Sequence, residues 1–258
     1  MFTLDLSGRH ALVLGVANHR SLAWAIAQQL HGAGAALCLT YANDRLQKGV
    51  EELAATLPGT VVLPCDVTQD DQIDAVAREL GQRWGSLEML VHGVAFAHKE
   101  DLEGSFVATS RDGFRLTLEV SAYSLLNVSN RVLPLLEKNG GSVVSLTYLA
   151  AERAVPNYNV MGSAKAVLEQ ITRQMAWELG PKNIRVNAVS AGPVNTLAAR
   201  GVRGFTGMYK EHAERAALKR NITQEEVGKA ALFLLSDMAS GTTGEVLYVD
   251  AGYRVMGM

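Results

Sequence analysis

HALVLGVANHRSLAWAIAQQLHGAGAALCLTY, residues 10–41, decides the architecture. From His10 to Val16 the residues form an apolar run too short for a helix, which reads as a buried strand. From Ser21 to Leu30 the period changes, with Leu22, Ala25, Ile26 and Leu30 recurring at helical intervals. Gly32 and Gly34 end that helix, and Ala35 to Tyr41 supplies a second apolar run. Strand, helix, strand in so few residues means a crossover, and a crossover makes the two strands parallel.

The alternation continues outward. Arg45 to Leu57, Asp71 to Trp84, Arg111 to Leu136 and Glu225 to Ser236 read as helices, the third with scattered polar residues. Thr60 to Pro64, Leu87 to Val94, Ser142 to Tyr148, Ile184 to Val189 and Val246 to Val249 read as strands. The predicted fold is α/β: a doubly wound, seven-stranded parallel sheet with helices on both faces and ligands at the strands' carboxyl ends. A chain of 258 residues suits one such domain, spanning 1–258.

Composition narrows the chemistry. Hydrophobic residues make up 48%, enough for a full core, and the net charge of -2 speaks against a nucleic-acid binder. Cys38 and Cys65 have neither metal nor disulfide spacing, and no close pair exists among His10, His19, His31, His92, His98 and His212, so no metal is expected. Met1 to Gly8 lacks a basic-then-apolar leader and no run reaches a membrane-spanning length. A cytoplasmic chain with no membrane partner is the expectation. A G-x-S-x-G elbow is absent, which disfavours a serine hydrolase.

Ala154 to Lys165 (AVPNYNVMGSAK) carries the most pointed chemistry. Pro156 and Asn157 read as the start of a helix running to about Leu179, which would put Tyr158 and Lys165 two turns apart on one face. A phenol and an ammonium so placed suit a site that hydrogen-bonds a developing oxyanion and holds a hydroxylated cofactor. An exposed lysine and a half-buried tyrosine fit the same spacing.

The first loop, Gly15 to Leu22, lacks the G-x-G-x-x-G fingerprint. Gly15 alone matches it, while Ala17 and Ser21 are small enough for backbone to approach a phosphate; an ordinary turn fits equally. After the second strand, Thr40-Tyr41-Ala42-Asn43 offers neither the acid nor the arginine that would select one nicotinamide coenzyme. Asp66, with Val67, is placed either to accept from an adenine amino group or to cap the next helix. Gly93 to Ala97 leaves room for a ribose, and Ala191 to Thr196 forms a turn suited to a carboxamide and pyrophosphate. Gly201 to Arg220 mixes three glycines with Phe205, Met208 and Tyr209, and reads as part of a flexible substrate-binding segment at about 194–220. Arg200, Arg203, Lys210, Arg215, Lys219 and Arg220 outnumber Glu211 and Glu214 there, giving either an acidic partner's dock or a solvated helix face.

With these segments placed, the chain resembles the short-chain dehydrogenase/reductase superfamily and, within it, the NADH-dependent bacterial enoyl-acyl-carrier-protein reductases. The resemblance runs from Leu6 to Tyr253. It is carried by Tyr148 to Gly162, Ile184 to Pro193, Arg220, Glu226-Val227-Gly228 and Gly244-Glu245-Val246. Ordinary superfamily members space Tyr and Lys by four; the seven here, the G-x5-S loop and His92-Gly93-Val94-Ala95 are departures the enoyl reductases share.

The resemblance implies a Rossmann-like fold and the last step of fatty-acid elongation, reduction of a trans-2-enoyl thioester on acyl carrier protein by NADH, with NADPH less favoured. It makes Tyr158 the donor to the enolate oxygen, Lys165 the holder of the nicotinamide ribose, and Tyr148 a second tyrosine that positions the thioester. It assigns cofactor contacts to Gly15, Ser21 and Leu22 in the first loop and to Ala42, where the family often has Gln. Asp66, Val67 and Val94 follow at later strand ends, then Val194, Asn195, Thr196, Leu197 and Ala198. Ala97, Met161, Phe205 and Met208 would join the two tyrosines around the acyl chain. A homotetramer through long helices is implied too, with Gly162, Ala164 and Ala166 permitting close approach, although simple core packing explains those small residues as well. A carbonyl or alcohol oxidoreductase of the same superfamily, and a dinucleotide sensor without catalysis, are the rival readings.

Overall fold

The computed structural model describes residues 4–196, 199, 201 and 203–257. Seven strands, β1 (His10–Leu14), β2 (Ala36–Tyr41), β3 (Val61–Pro64), β4 (Met89–His92), β5 (Gly141–Thr147), β6 (Ile184–Ala191) and β7 (Val246–Val249), form one sheet in the order β3-β2-β1-β4-β5-β6-β7. Every neighbouring pair is parallel. The chain winds outward from β1 to β3, then returns to lay β4 on the other side of β1. The carboxyl ends of β1 and β4 therefore flank the reversal in strand order, where such sheets bind ligands.

Around the sheet lie α1 (Leu22–Gly32), α2 (Asp44–Ala54), α3 (Asp70–Arg83), the short α4 (Lys99–Leu102), α5 (Arg111–Leu118), α6 (Ser124–Leu136), α7 (Asn159–Leu179), α8 (Phe205–Arg215) and α9 (Gln224–Leu235). Alternate residues of a strand face opposite ways, so each strand feeds two cores. Ala11 and Val13 pack with α1, α2 and α9, whereas Leu12 and Leu14 pack with α3, α6 and α7.

The expected helix over Arg111 to Leu136 forms, but not with uniform α geometry. A π turn, Glu119–Tyr123, separates α5 from α6. Its serine reaches across to the loop after β4, where Ser121 Oγ accepts from the Phe96 amide at 2.9 Å and donates to the Phe96 carbonyl at 3.1 Å. The wider turn thus grips that loop, a common use of such bulges near functional sites. On the far side Arg185 of β6 donates to Leu234 O at 2.6 Å and Ser236 O at 2.9 Å, satisfying carbonyls at the end of α9 that have no helical partner.

Candidate active site

β1 ends two residues earlier than its apolar run suggests because Gly15 turns sharply, with φ of +97°. A Cβ there would lie 2.2 Å from the Gly93 carbonyl oxygen, so only glycine allows the ends of β1 and β4 to meet this closely. Ser21 organises the rest of the loop. Its Oγ accepts from the amides of Ala17 at 3.0 Å and Asn18 at 3.1 Å, leaving its own proton to donate elsewhere. Leu22 begins α1 and packs half-buried on the core.

Farther along the sheet, Ala42 is exposed just past β2. Asp66 Oδ1 accepts from Thr68 N at 2.9 Å and Thr68 Oγ1 at 2.8 Å. It closes a local turn rather than capping α3, whose N-cap position is Gln69. Val67 is buried and Val94 half-buried against the same core cluster. Val194 is buried, Asn195 is exposed, and Thr196 Oγ1 accepts from Ala199 N at 3.0 Å. Leu197 and Ala198 lie outside the described residues.

The helix that carries the lysine starts slightly later than the sequence expectation. α7 begins at Asn159, and Pro156-Asn157 does not start it: Asn157 is left-handed, with φ of 60°, and its Nδ2 donates to Arg203 O at 3.0 Å. Asparagine tolerates that conformation because its amide bonds backbone. Tyr158 is the N-cap residue of α7, its amide bonded to Val155 O and its carbonyl accepting from Gly162 N, both at 3.2 Å, so it stands at the helix entrance two turns before Lys165.

That turn brings the two tyrosines together. The rings of Tyr148, just past β5, and Tyr158 meet edge-on with centroids 5.0 Å apart. The Tyr148 hydroxyl donates to Met208 Sδ at 3.5 Å. Burial, with the neighbouring Tyr148 second, pushes the Tyr158 phenol well above the ordinary tyrosine range. Burial also pushes Tyr148 up to about 12. Both hydroxyls are therefore protonated donors at neutral pH.

Lys165 is 5% exposed, and its Nζ donates to Leu146 O of β5 at 2.8 Å. Loss of solvent pulls its ammonium down to about 8, with the carboxylate of Glu169 opposing that shift. Met161 is buried one turn before Lys165, and Phe205 is buried at the start of α8. Ala97 is half-buried in the loop that Ser121 holds.

The glycine-rich stretch is mostly helical. α8 runs from Phe205 to Arg215, entered through the positive φ of Gly204, and is anchored by buried His212. That imidazole stacks on Tyr253 at 4.4 Å and lies 2.9 Å from Asn221 Oδ1. The positive charge here is also less free than the composition implies. Arg215 pairs with Glu211 at 3.1 Å, Lys210 with Glu214 at 3.8 Å, and Arg220 with Glu226 at 2.7 Å. Arg200 lies outside the described residues.

Sequence reasoning missed three groups. His92, 1% exposed at the end of β4, lies 2.7 Å from Ser124 Oγ, and burial followed by Lys165 pulls it down to about 3. Asn157 ties the tyrosine turn to Arg203, and Glu169 is a buried carboxyl one turn beyond Lys165. The available signal was a polar residue closing an apolar strand (His92) and an acid on the buried stripe of a helix (Glu169). Neither pattern names a role.

Gathered at one end of the sheet are a glycine turn, a hydroxyl-organised loop, a buried ammonium and two protonated phenols beside an apolar wall. Residues 15–254 match the family model described as enoyl-(acyl carrier protein) reductase. The chain is 52% identical over 258 residues to an enoyl-acyl-carrier-protein reductase (NADH) of Nostoc sp., covering 99% of this chain and 100% of that one. It is 50% identical over 254 residues to the corresponding Bacillus cereus protein, covering 98% and 99%. The crystal structure of the Bacillus cereus reductase with NADP+ and indole naphthyridinone superposes with a TM-score of 0.96, at 50% identity and full coverage of both chains. That of the Anaplasma phagocytophilum reductase with NAD gives 0.94 at 43% identity, covering 98% and 96%.

Proposed function

The chain belongs to the enoyl-(acyl carrier protein) reductase family, and from that premise we propose that it reduces the carbon–carbon double bond of trans-2-enoyl thioesters on acyl carrier protein with NADH, the closing step of each fatty-acid elongation cycle. The observation that carries the site assignment is the contact between the Tyr148 and Tyr158 rings beside Met208 of α8, on the same sheet end as Lys165.

The residues fit a dinucleotide. Contact between the Gly15 and Gly93 turns leaves no side chain where a pyrophosphate would approach, and Ser21 keeps a free proton beside the N-terminus of α1. Gly15, Ser21, Leu22 and Val94 would hold its centre, Ala42, Asp66 and Val67 its adenosine end, and Lys165 with residues 194–198 its nicotinamide end. When bound, NADH supplies a hydride to the β-carbon of the enoyl chain.

The protein's own work is electrostatic. Negative charge gathers on the thioester oxygen as the enolate forms, and the Tyr158 O–H donates to that oxygen. Burial keeps the proton on Tyr158, so the donor is intact across the neutral range. The Lys165 ammonium holds ribose hydroxyls and adds a positive field. Tyr148 orients the thioester, while Ala97, Met161, Phe205 and Met208 face the acyl chain and exclude water. Protonation at the α-carbon completes the saturated product. We assign residues 194–220 as the substrate-binding segment and place the enzyme in the cytoplasm beside its carrier protein.

Following NADH absorbance with a crotonyl thioester, a 3-oxoacyl thioester and each coenzyme tests the assignment. Reduction of the crotonyl thioester with NADH is expected; a preference for the 3-oxoacyl thioester would make the chain a carbonyl reductase instead.

Acyl carrier protein is acidic, and the side chains of Arg203 and Lys210 are exposed next to the acyl wall. Reversing both charges is expected to lower kcat/KM for carrier-protein substrates by roughly tenfold and to spare small thioesters. Equal loss on both substrates would remove the docking role.

An apolar face supports assembly into a homotetramer. Trp177 is 77% exposed on the outer stripe of α7 with Val167, and Phe114, Tyr123 and Leu126 are exposed on α5, the π turn and α6. Monomers seldom leave such side chains in water on one helix layer. Trp177→Glu is expected to yield a smaller particle in light scattering; an unchanged mass would rule this face out as the interface.

A further inference from the structure

We infer that Glu169 is a positioning residue whose buried carboxylate is the counter-charge to Lys165, keeping that ammonium charged and fixed for the cofactor. The inference rests on the role proposed for Lys165. Glu169 and Lys165 lie one turn apart on α7 and so share its inner face. They are 4% and 5% exposed. Adjacent residues of β5 hold them: Lys165 Nζ donates to Leu146 O, and Glu169 Oε1 accepts from Thr147 Oγ1, both at 2.8 Å. The end of one strand therefore fixes an ammonium and a carboxyl one helical turn apart in a buried layer, each on its own β5 partner and without a direct ion pair between them.

An ammonium this deep needs a negative neighbour to remain charged. The titratable groups facing Lys165 are few. His92 on β4 is neutral, since burial pulls it down to about 3, and Tyr148 and Tyr158 are neutral phenols. Glu169 is the carboxylate that opposes the downward shift of Lys165. Burial pushes its own carboxyl upward, and the hydrogen bond from Thr147 works against that rise. Around Glu169 stand Arg173 on α7, Arg254 of the C-terminal segment, Glu152 after β5 and Tyr248 of β7. Tyr248 donates to Glu152 at 2.6 Å, and Arg254 stacks on the Tyr248 ring at 3.8 Å while facing Glu152 at 3.7 Å. Those outer groups are largely engaged with one another, and the Glu169 carboxyl is held by Thr147.

The experiment uses the full chain. NADH binding is titrated by fluorescence from about pH 6 to about pH 9.5, a span that brackets the titration of a buried lysine. The Lys165 Nζ resonance is followed in parallel in cofactor-free, isotopically labelled protein. Glu169→Gln keeps an acceptor for Thr147 but removes the charge. It is expected to bind NADH like the wild type at the acid end and about tenfold more weakly at the alkaline end, its lysine midpoint about one unit lower. Thr147→Val, which removes the hydrogen bond but leaves the carboxyl, is expected to move that midpoint by much less than Glu169→Gln does. An unmoved midpoint in Glu169→Gln, or an equal shift in Thr147→Val, would overturn the inference. Should Glu169→Gln not fold, Glu169→Asp must retain the wild-type midpoint, and a fall toward neutrality overturns the inference equally. Undiminished NADH binding by Lys165→Met would instead sink the underlying assignment of Lys165.

Discussion

Tyr158→Phe is expected to lower turnover of a 2-enoyl thioester about 10²-fold while NADH binding stays near the wild-type level. Phenylalanine keeps the ring, and with it the edge-on contact with Tyr148 at 5.0 Å, so the change removes one hydroxyl and little else. That hydroxyl is buried, and burial pushes its pKa upward so that it keeps its proton at neutral pH, as the proposed donor role requires. Losing one oriented oxyanion donor in a dry site costs about 3 kcal/mol at the transition state. The loss should fall on kcat, since a ground-state carbonyl oxygen carries less charge. Tyr148→Phe is expected to do less, because its hydroxyl is already turned to Met208. Wild-type kcat in Tyr158→Phe would refute the donor role.

Lys165→Met should weaken NADH binding by about 10²-fold if the proposed role holds, because the ammonium would supply charge-assisted hydrogen bonds to ribose. The direction of its pH dependence follows from burial. Lys165 is pulled down to about 8, so the wild type holds the charged, binding-competent form below that pH and loses it as pH rises through it. Wild-type kcat/KM for NADH should therefore decline by about tenfold per unit above that midpoint, and the decline should be absent in Lys165→Met. Methionine fills the stem's space but cannot donate to Leu146 O, so a modest fall in melting temperature accompanies the change. A variant with lower melting temperature and unaltered NADH affinity would reduce Lys165 to a structural anchor.

The parts of this candidate site could be picked out beforehand because they are local. Gly15, Ser21, Tyr158 and Lys165 belong to short segments whose residue types and spacings carry meaning without a partner. Where the expectation failed, a distant contact had intervened. The Pro156-Asn157 turn is shaped by the Asn157 bond to Arg203, 46 positions away, which a helix-start reading cannot contain. Arg111 to Leu136 is helical as read, but widens at Glu119–Tyr123 into a π turn whose Ser121 serves Phe96. The basic reading of Arg200 to Arg220 counted charges, whereas most of those described on α8 and its exit are paired with acids within reach.

Periodicity along the chain was enough to determine the alternation of strands and helices and the parallel sheet, because a buried face must recur with the repeat of its backbone. Strand order, the meeting of Tyr148 with Tyr158, and the pairing of Lys165 and Glu169 with neighbouring residues of β5 were settled only in three dimensions. Those depend on which surfaces are brought together across tens of residues, and a repeat read along the chain records only which side of each element avoids water.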